Sequence, residues 1–418
     1  MVDLDWHSHG GGATPPATLE LAPADADIDL VAVRAYRLVR VRAEMRSRDI
    51  AACILSDPVN IRYATGARNM QVFTSRNQPA RYLLLTANDA ILYEFTGCMH
   101  LANGLETLSE VRPAITASFV AAGAAIGERE IRWARETAAG IRAIAGPGAR
   151  VGLERLNTGA ALALAAEGLH LVDAQEPVEM ARAIKSAEEM KGVRASLHAT
   201  ETAVARMRAA IRPGISENQL WSVLHQTAIE LGGDYCETRL LNAGPRTNPW
   251  FQESGGNLIA DNELVVLDTD VVGCHGYFAN FSRTFHAGPA KPTPAQRRLY
   301  QTAHEQLHHN MAILKPGLSL RDYADKAWAI PAEYFANRYY LPAHGVGMTG
   351  EYPYLYHRAD FDDAGYDGVV EPGMTLCLES YIGEEVGLEG VKLEQQALVA
   401  TDGIELLSRF PFESDLLH

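Results

Sequence analysis

The chain has 418 residues, 47% of them hydrophobic and 21% charged, with a formal net charge of -15. That length predicts two or three domains and a core large enough to need no disulfide staples. The charge argues against a nucleic acid or an anionic membrane as partner and suits a cationic or zwitterionic small molecule.

The cysteines Cys53, Cys98, Cys236, Cys274 and Cys377 are scattered without a C-x-x-C pair, which predicts reduced thiols and a cytoplasmic setting. No apolar run reaches the roughly 18 residues of a membrane span. Residues 1–29 have neither the basic nor the apolar segment of a signal peptide and read as an extended N-terminal arm.

Residues 30–177 read as a first α/β domain. Arg34 to Arg48 has helical periodicity, with Leu38, Val41 and Met45 among basic residues. Ala51–Ser56 is an apolar strand closed by a turn at Asp57-Pro58. Arg81–Thr86 and Ala90–Phe95 form a hairpin pattern around a short polar turn. Glu128–Ala145 is helical and stops at Gly146-Pro147-Gly148, and Arg150–Leu153 and Leu169–Asp173 are further strands.

Residues 178–418 read as a second domain. Glu179 to Ala210 is a long helical stretch stopped by Pro213-Gly214. Arg212-Pro213-Gly214-Ile215-Ser216 then recurs as Lys315-Pro316-Gly317-Leu318-Ser319. Each copy follows a long helix, offers a serine N-cap to a new helix (Glu217–Leu231 or Leu320–Tyr334), and precedes strands that carry acids. The repeat predicts two related αβ halves about a pseudo-twofold axis, with the acidic strands meeting between them.

Those strands hold the candidate chemistry. Leu264–Leu267 is an apolar run ending in Asp268-Thr269-Asp270, and residues two apart on an extended strand face the same side. The returning strand, Gly276–Thr284, brings Asn280 back toward the same place. Downstream come Ala343-His344-Gly345-Val346-Gly347, with glycines around a single imidazole, then Met374–Leu378 ending in Glu379, and Glu394 on the strand that pairs with it. An acid at the end of an apolar strand is costly unless paired or metal-bound. Any one of these residues alone reads as a salt bridge, a turn or a packed histidine. Together, four carboxylates, one imidazole and one amide suit two ions of Fe, Mn, Zn or Co. Arg283, His286 and Lys392 lie close by in sequence, where they would hold a substrate anion or pair with the acids.

In these motifs the chain resembles the creatinase/aminopeptidase (pita-bread) superfamily. The resemblance rests on Arg182-Ala183-Ile184-Lys185-Ser186 with Glu189, Pro213–Glu217, Leu267-Asp268, Gly276-Tyr277, Ser282-Arg283-Thr284, His344–Gly347, Glu379 and Glu394. In the first domain it rests on Asp57–Tyr63 and Thr65-Gly66. It implies an α+β fold in which a pita-bread catalytic domain of two pseudo-twofold halves follows a smaller α/β domain. It also implies a homodimer. Within the superfamily the chain is most similar to the dimethylsulfoniopropionate lyase branch, through Asn69-Met70-Gln71, Asn248-Pro249-Trp250, Glu379–Gly383 and Glu389–Gln396. The likeness carries the family's metal ligands onto Asp268, Asp270, His344, Glu379 and Glu394.

Two departures matter. Asn280 stands where the family has a third aspartate, and a neutral amide predicts reduced occupancy of at least one metal position. Gly350 stands where the lyase branch has an aspartate thought to be the base, which leaves Glu351 or Tyr339 for the proton. Phe73, Trp250 and Arg283 are the expected substrate contacts, with Phe73 in the place of a tryptophan. The peptidase branch carries histidines at the positions of Glu351 and of the Asn248-Pro249-Trp250 stretch, and both are missing here. The expected function is a metal-dependent lyase acting on a small carboxylate or onium compound. The alternatives are a hydrolase of the Xaa-Pro dipeptidase or creatinase type, and a binding protein that has lost catalysis.

Overall fold

The computed structural model describes residues 27–69 and 79–418. Phe73, Met70, Gln71 and nearly all of the N-terminal arm lie outside the described residues. The chain divides between Arg182 and Ala183 into two compact units. The helix Gln175–Ala183 stays with the first unit because Tyr63 Oη donates to Ala181 O (2.8 Å) and Arg40 Nη2 donates to Met180 O (2.8 Å). The division therefore falls downstream of the 177/178 boundary that composition suggests.

The first unit is a mixed sheet ordered Glu110–Pro113, Ala90–Glu94, Tyr82–Thr86, Ala52–Leu55, Arg150–Leu153, His170–Asp173. The hairpin Tyr82–Thr86/Ala90–Glu94 forms as its pattern indicates, and Arg150–Leu153 runs parallel to Ala52–Leu55. Helix Ile126–Ala145 buries Trp133 edge-on against Tyr82, with ring centroids 5.8 Å apart. Asp57-Pro58 opens a helix instead of a turn. The Asp57 carboxylate accepts the Val59 amide (2.8 Å), Pro58 sits in the first turn where no amide is needed, and Gly66 ends the helix in the left-handed region (φ 80°).

The second unit carries the repeat in its backbone. Helix Ala187–Ala210 and helix Pro294–Ile313 each end in a Pro-Gly turn, with Gly214 at φ 85° and Gly317 at φ 81°. Gly214 N donates to Ile259 O and Gly317 N donates to Val370 O, both at 2.8 Å. Ser216 bridges Leu258, and Ser319 bridges Val369. Asp268 then lies as far beyond Ile259 as Glu379 lies beyond Val370. The two acids are thus equivalent positions in two halves.

Three expected elements are broken, each for a visible reason. The stretch Glu179–Ala210 is two helices, because Ser186 and Glu189 form a reciprocal capping box that starts Ala187–Ala210 afresh. The helix expected over Leu320–Tyr334 ends at Lys326, and Pro331 precedes the next short helix, Ala332–Phe335. The strand expected over Gly276–Thr284 divides at Asn280. Phe278–Ala279 pairs with Val271–Val272, while Ser282–His286 pairs with Leu264–Asp268.

The largest sheet of this unit is ordered Gly350–Leu355, Ala343–Val346, Thr375–Gly383, Gly390–Val399, Ile404–Leu406. Alternation along its long pair of strands sorts two faces. Leu376, Leu378, Ile382, Val391 and Leu393 go into the core with Leu299, Leu307 and Met311 of helix Pro294–Ile313. Cys377, Glu379, Lys392, Glu394 and Gln396 share the opposite parity, yet they too are buried. That polar face meets the sheet of Leu241–Ala243, Leu264–Asp268 and Ser282–His286. Thr284 joins the two: its hydroxyl donates to Lys392 O (2.9 Å) and accepts the Lys392 amide (3.1 Å). Among the described residues, no helix is long and apolar enough to cross a membrane.

Candidate metal centre

The acids converge because register places them opposite one another. Glu379 pairs with Glu394, Asp268 pairs with Ser282, and His344 pairs with Cys377, two residues from Glu379 on the same strand. Ser282 Oγ donates to Glu394 Oε2 at 2.8 Å. His344 Nε2 lies 3.2 Å from Glu379 Oε1 and 3.9 Å from Glu394 Oε1. Its Nδ1 lies 2.8 Å from the Gly345 carbonyl, which orients the ring. The glycines flanking His344 serve close approach. A Cβ at Gly345 would come 2.3 Å from Tyr352 O, and one at Gly347 would come 2.3 Å from the Glu351 carboxylate.

Asp270 reaches the cluster by a different route from the extended strand its spacing implies. It sits in the left-handed region (φ 39°) between Leu264–Asp268 and Val271–Val272, and Thr238 Oγ1 donates to its Oδ2. Burial and the charge of Asp268 push its carboxyl up to about 8. Asn280 is buried, and its backbone N–H donates to Gln396 Oε1 at 3.0 Å.

A cationic side chain completes the centre. Lys392 Nζ donates to Asp268 Oδ2 (3.1 Å), to Ser282 Oγ (3.0 Å), to Glu394 Oε2 (3.4 Å) and to Glu379 Oε2. Burial alone would neutralise it, but Asp268, Glu379 and Glu394 outweigh burial and hold its pKa well above the usual lysine value. Burial would likewise raise Glu379, yet Lys392 and His344 keep that carboxyl below the ordinary range. Glu394 goes the other way, raised by burial and by the charge of Glu379.

Whether these residues suit a metal ion is decided by atoms without partners. Asp268 Oδ1, Asn280 Oδ1 and Glu394 Oε1 are buried and accept no hydrogen bond, and Glu379 Oε1 meets only His344 Nε2, at 3.2 Å. A buried oxygen left this way costs about 1–3 kcal/mol, and more when it is charged. These four oxygens and the imidazole make a donor set for a divalent cation, with oxygen and nitrogen ligands of the kind Mn, Fe, Co and Zn accept. His344, Cys377 and Glu394 also each bring one ligand atom within 4.8 Å of the others, and the thiol was not anticipated from sequence. The parity of Cys377 with Glu379 on one strand is the signal that reveals it.

Other expected site residues lie elsewhere. Arg283 is fully buried and donates to the carbonyls of Glu394 (2.7 Å) and Ser282 (2.9 Å) and to Gln395 Oε1 (2.9 Å), while Phe412 stacks 4.5 Å from its guanidinium. It anchors the C-terminal segment, donating to Phe410 O, and is one residue out of phase with Ser282. His286 is engaged with Asn262 Oδ1 at 2.8 Å. Glu351 registers with Gly345 and not with His344, and its buried carboxylate pairs with Lys185. Trp250 is buried among Leu240, Val266 and Tyr381, with Tyr339 packed against them. The Tyr339 ring lies 4.6 Å from Lys392 Nζ, so it is at the cluster. Burial, then Glu379 and Asp268, push its hydroxyl pKa well up.

From Tyr339 a run of aromatic rings leads outward. Phe251 stacks on Tyr339 at 5.3 Å, Tyr340 lies 5.0 Å from Tyr339, and Tyr354 lies 6.4 Å from Tyr340 and 6.2 Å from His344. Phe251 is 54% exposed, Tyr340 47% and Tyr354 36%, so these rings face solvent beside the acids.

A catalytic unit of two pseudo-twofold halves with buried carboxylates and a histidine between them defines a pita-bread enzyme. The chain belongs to metallopeptidase family M24: that family's model matches residues 191–401, and the creatinase/prolidase N-terminal domain matches residues 37–184. Enzymes of this family are generally dinuclear and metal-dependent. Curated relatives include dimethylsulfoniopropionate lyase DddP of Roseovarius nubinhibens, 33% identical over 93% of this chain and 88% of that protein. The DddP of Roseobacter denitrificans is also 33% identical, over 97% of this chain and 92% of its own length. Among solved structures, the Xaa-Pro dipeptidase from Bacillus anthracis superposes with a TM-score of 0.72 at 21% identity, covering 91% of this chain and 99% of its own. The prolidase from Thermococcus sibiricus does so with a TM-score of 0.74 at 17% identity, covering 91% and 98%. At those identities the likeness speaks for the fold alone.

Proposed function

We propose that the chain is a metal-dependent lyase that eliminates a leaving group from a small onium carboxylate of the dimethylsulfoniopropionate class. The observation that carries this reading is the juxtaposition of two binding chemistries: a buried donor set for a cation, and an exposed run of aromatic faces leading out of it. A substrate with a carboxylate at one end and an onium group at the other matches both. The onium end is held by the exposed faces of Phe251 and Tyr340, because the negative face of a ring attracts a positive charge. When bound, a divalent ion held by Asp268, Asp270, Asn280, His344, Glu379 and Glu394 supplies Lewis acidity toward the substrate carboxylate.

Elimination removes the proton next to the carboxylate. The C–H electron pair becomes the carbon–carbon double bond, and the carbon–onium pair departs with a neutral leaving group. Of the two groups that sequence puts forward for the proton, Tyr339 faces the cluster and Glu351 is tied to Lys185. Tyr339 is therefore assigned the proton, which it takes as the phenolate, and Glu351 is left a structural part. The Lys392 ammonium beside the Tyr339 ring, together with a bound cation, would offset the burial and acids that hold its hydroxyl pKa well up. The relatives at 33% identity support the lyase reading. Glu351 and the Asn248-Pro249-Trp250 stretch, standing where the peptidase branch has histidines, weigh against Xaa-Pro hydrolysis.

The test is product analysis with dimethylsulfoniopropionate and related onium and hydroxy acids, using metal-loaded protein with and without Asn280→Asp. An unsaturated carboxylate and a free leaving group should form, fall on chelation, and fall at least about 100-fold in Tyr339→Phe, the usual scale of a proton-transfer group. Release of proline from Xaa-Pro dipeptides, with no elimination product from any onium acid, contradicts the reading.

A further inference from the structure

The number of cations the centre takes can be read from how its carboxylates are shared. Asp268, Glu379 and Glu394 each present one oxygen to the Lys392 ammonium, namely Oδ2, Oε2 and Oε2. The other oxygen of each, Oδ1, Oε1 and Oε1, is buried, and those of Asp268 and Glu394 accept no hydrogen bond. His344 Nε2 lies beside two of these second oxygens, at 3.2 and 3.9 Å. Glu379 and Glu394 therefore reach from the ammonium on one side to the imidazole on the other. That is how a bridging carboxylate spans two metal ions, with an ammonium in one of the two places.

Three further observations support the arrangement. Lys392 is fully buried, and both its amide and its carbonyl are gripped by the Thr284 hydroxyl, so its backbone is fixed where the two halves meet. Asn280 offers a neutral oxygen, which can ligate one ion but cannot bridge two as a carboxylate does. Asp270 has one oxygen engaged by Thr238.

We propose that this centre binds one divalent cation, on the side of His344 and the second oxygens of Glu379 and Glu394. The Lys392 ammonium takes the place of a second ion. The inference rests on the metal-dependent reading above and departs from the dinuclear pattern general in the family.

The experiment is to load the intact protein with Mn2+, remove the excess, count Mn by inductively coupled plasma mass spectrometry and record its electron paramagnetic resonance spectrum. One Mn per chain with an uncoupled spectrum is expected. The double variant Lys392→Met/Asn280→Asp should take two and show exchange coupling between them. Two coupled ions in the unaltered protein overturn the proposal, and so does a folded double variant that still takes one. Where the double variant does not fold, the spectrum of the unaltered protein decides. No bound Mn at all removes metal dependence altogether. One ion with no elimination product leaves the ion count standing and overturns only the lyase reading.

Discussion

Gly350 is a position where one missing side chain has chemical consequences. A Cβ there would lie 4.0 Å from His344 Nδ1 and meet nothing closer, and Gly350 is not among the residues with positive φ. Gly350→Asp therefore sets a carboxylate beside the imidazole without strain. It should raise elimination of an onium carboxylate by about 100-fold or more, the usual worth of a general base. An unchanged rate in metal-loaded variant would separate this position from the proton transfer. The strand-ending acids were legible in sequence because each interrupts an apolar run. Lys392 was legible only in part: its parity with Glu394 put it on the same face, but nothing in one strand shows that an ammonium touches acids from three. Glu351 pairs with Lys185 and Arg283 with backbone carbonyls, since nearness in sequence does not fix which side of a sheet a residue takes. The irregular register between His344 and Gly345 sets Glu351 opposite Gly345, and Arg283 is one residue out of phase with Ser282.

Helices and strands mark the repeat more firmly than they mark their own ends. The Pro-Gly turns, the serine caps and the bridges to Leu258 and Val369 follow the two sequence copies closely. Where the reading failed, a local signal had been overridden by a longer pattern. Helical composition runs through residues 179–210, yet Ser186 with Glu189 restarts the helix. That cap sits at the start of the second unit, close after the Arg182/Ala183 division. Ser186→Ala should lower stability by about 1 kcal/mol, the usual worth of an N-cap, seen as a drop in the denaturation midpoint with an unchanged slope. A loss within about 0.3 kcal/mol would mean that packing and not capping starts the helix. The division of the Gly276–Thr284 strand at Asn280 had no counterpart in sequence, since alternation continues through it.

For the molecule as a whole, a buried centre with unpaired oxygens is an uncompensated cost in the ion-free state, and a bound ion converts that cost into stability. Linkage sets the size: an ion at about 100 times its dissociation constant stabilises the folded state by about 2.7 kcal/mol. The net charge of -15 adds to the attraction for cations. The dependence should vanish when the ligands are cut and persist when a remote charge is removed. Thermal unfolding of chelator-treated protein, with and without added Mn2+, tests this most directly in the unaltered chain and in His344→Ala/Glu394→Ala. The account predicts a clear rise in melting temperature for the first and none for the second. An equal rise in both, or none in either, contradicts it.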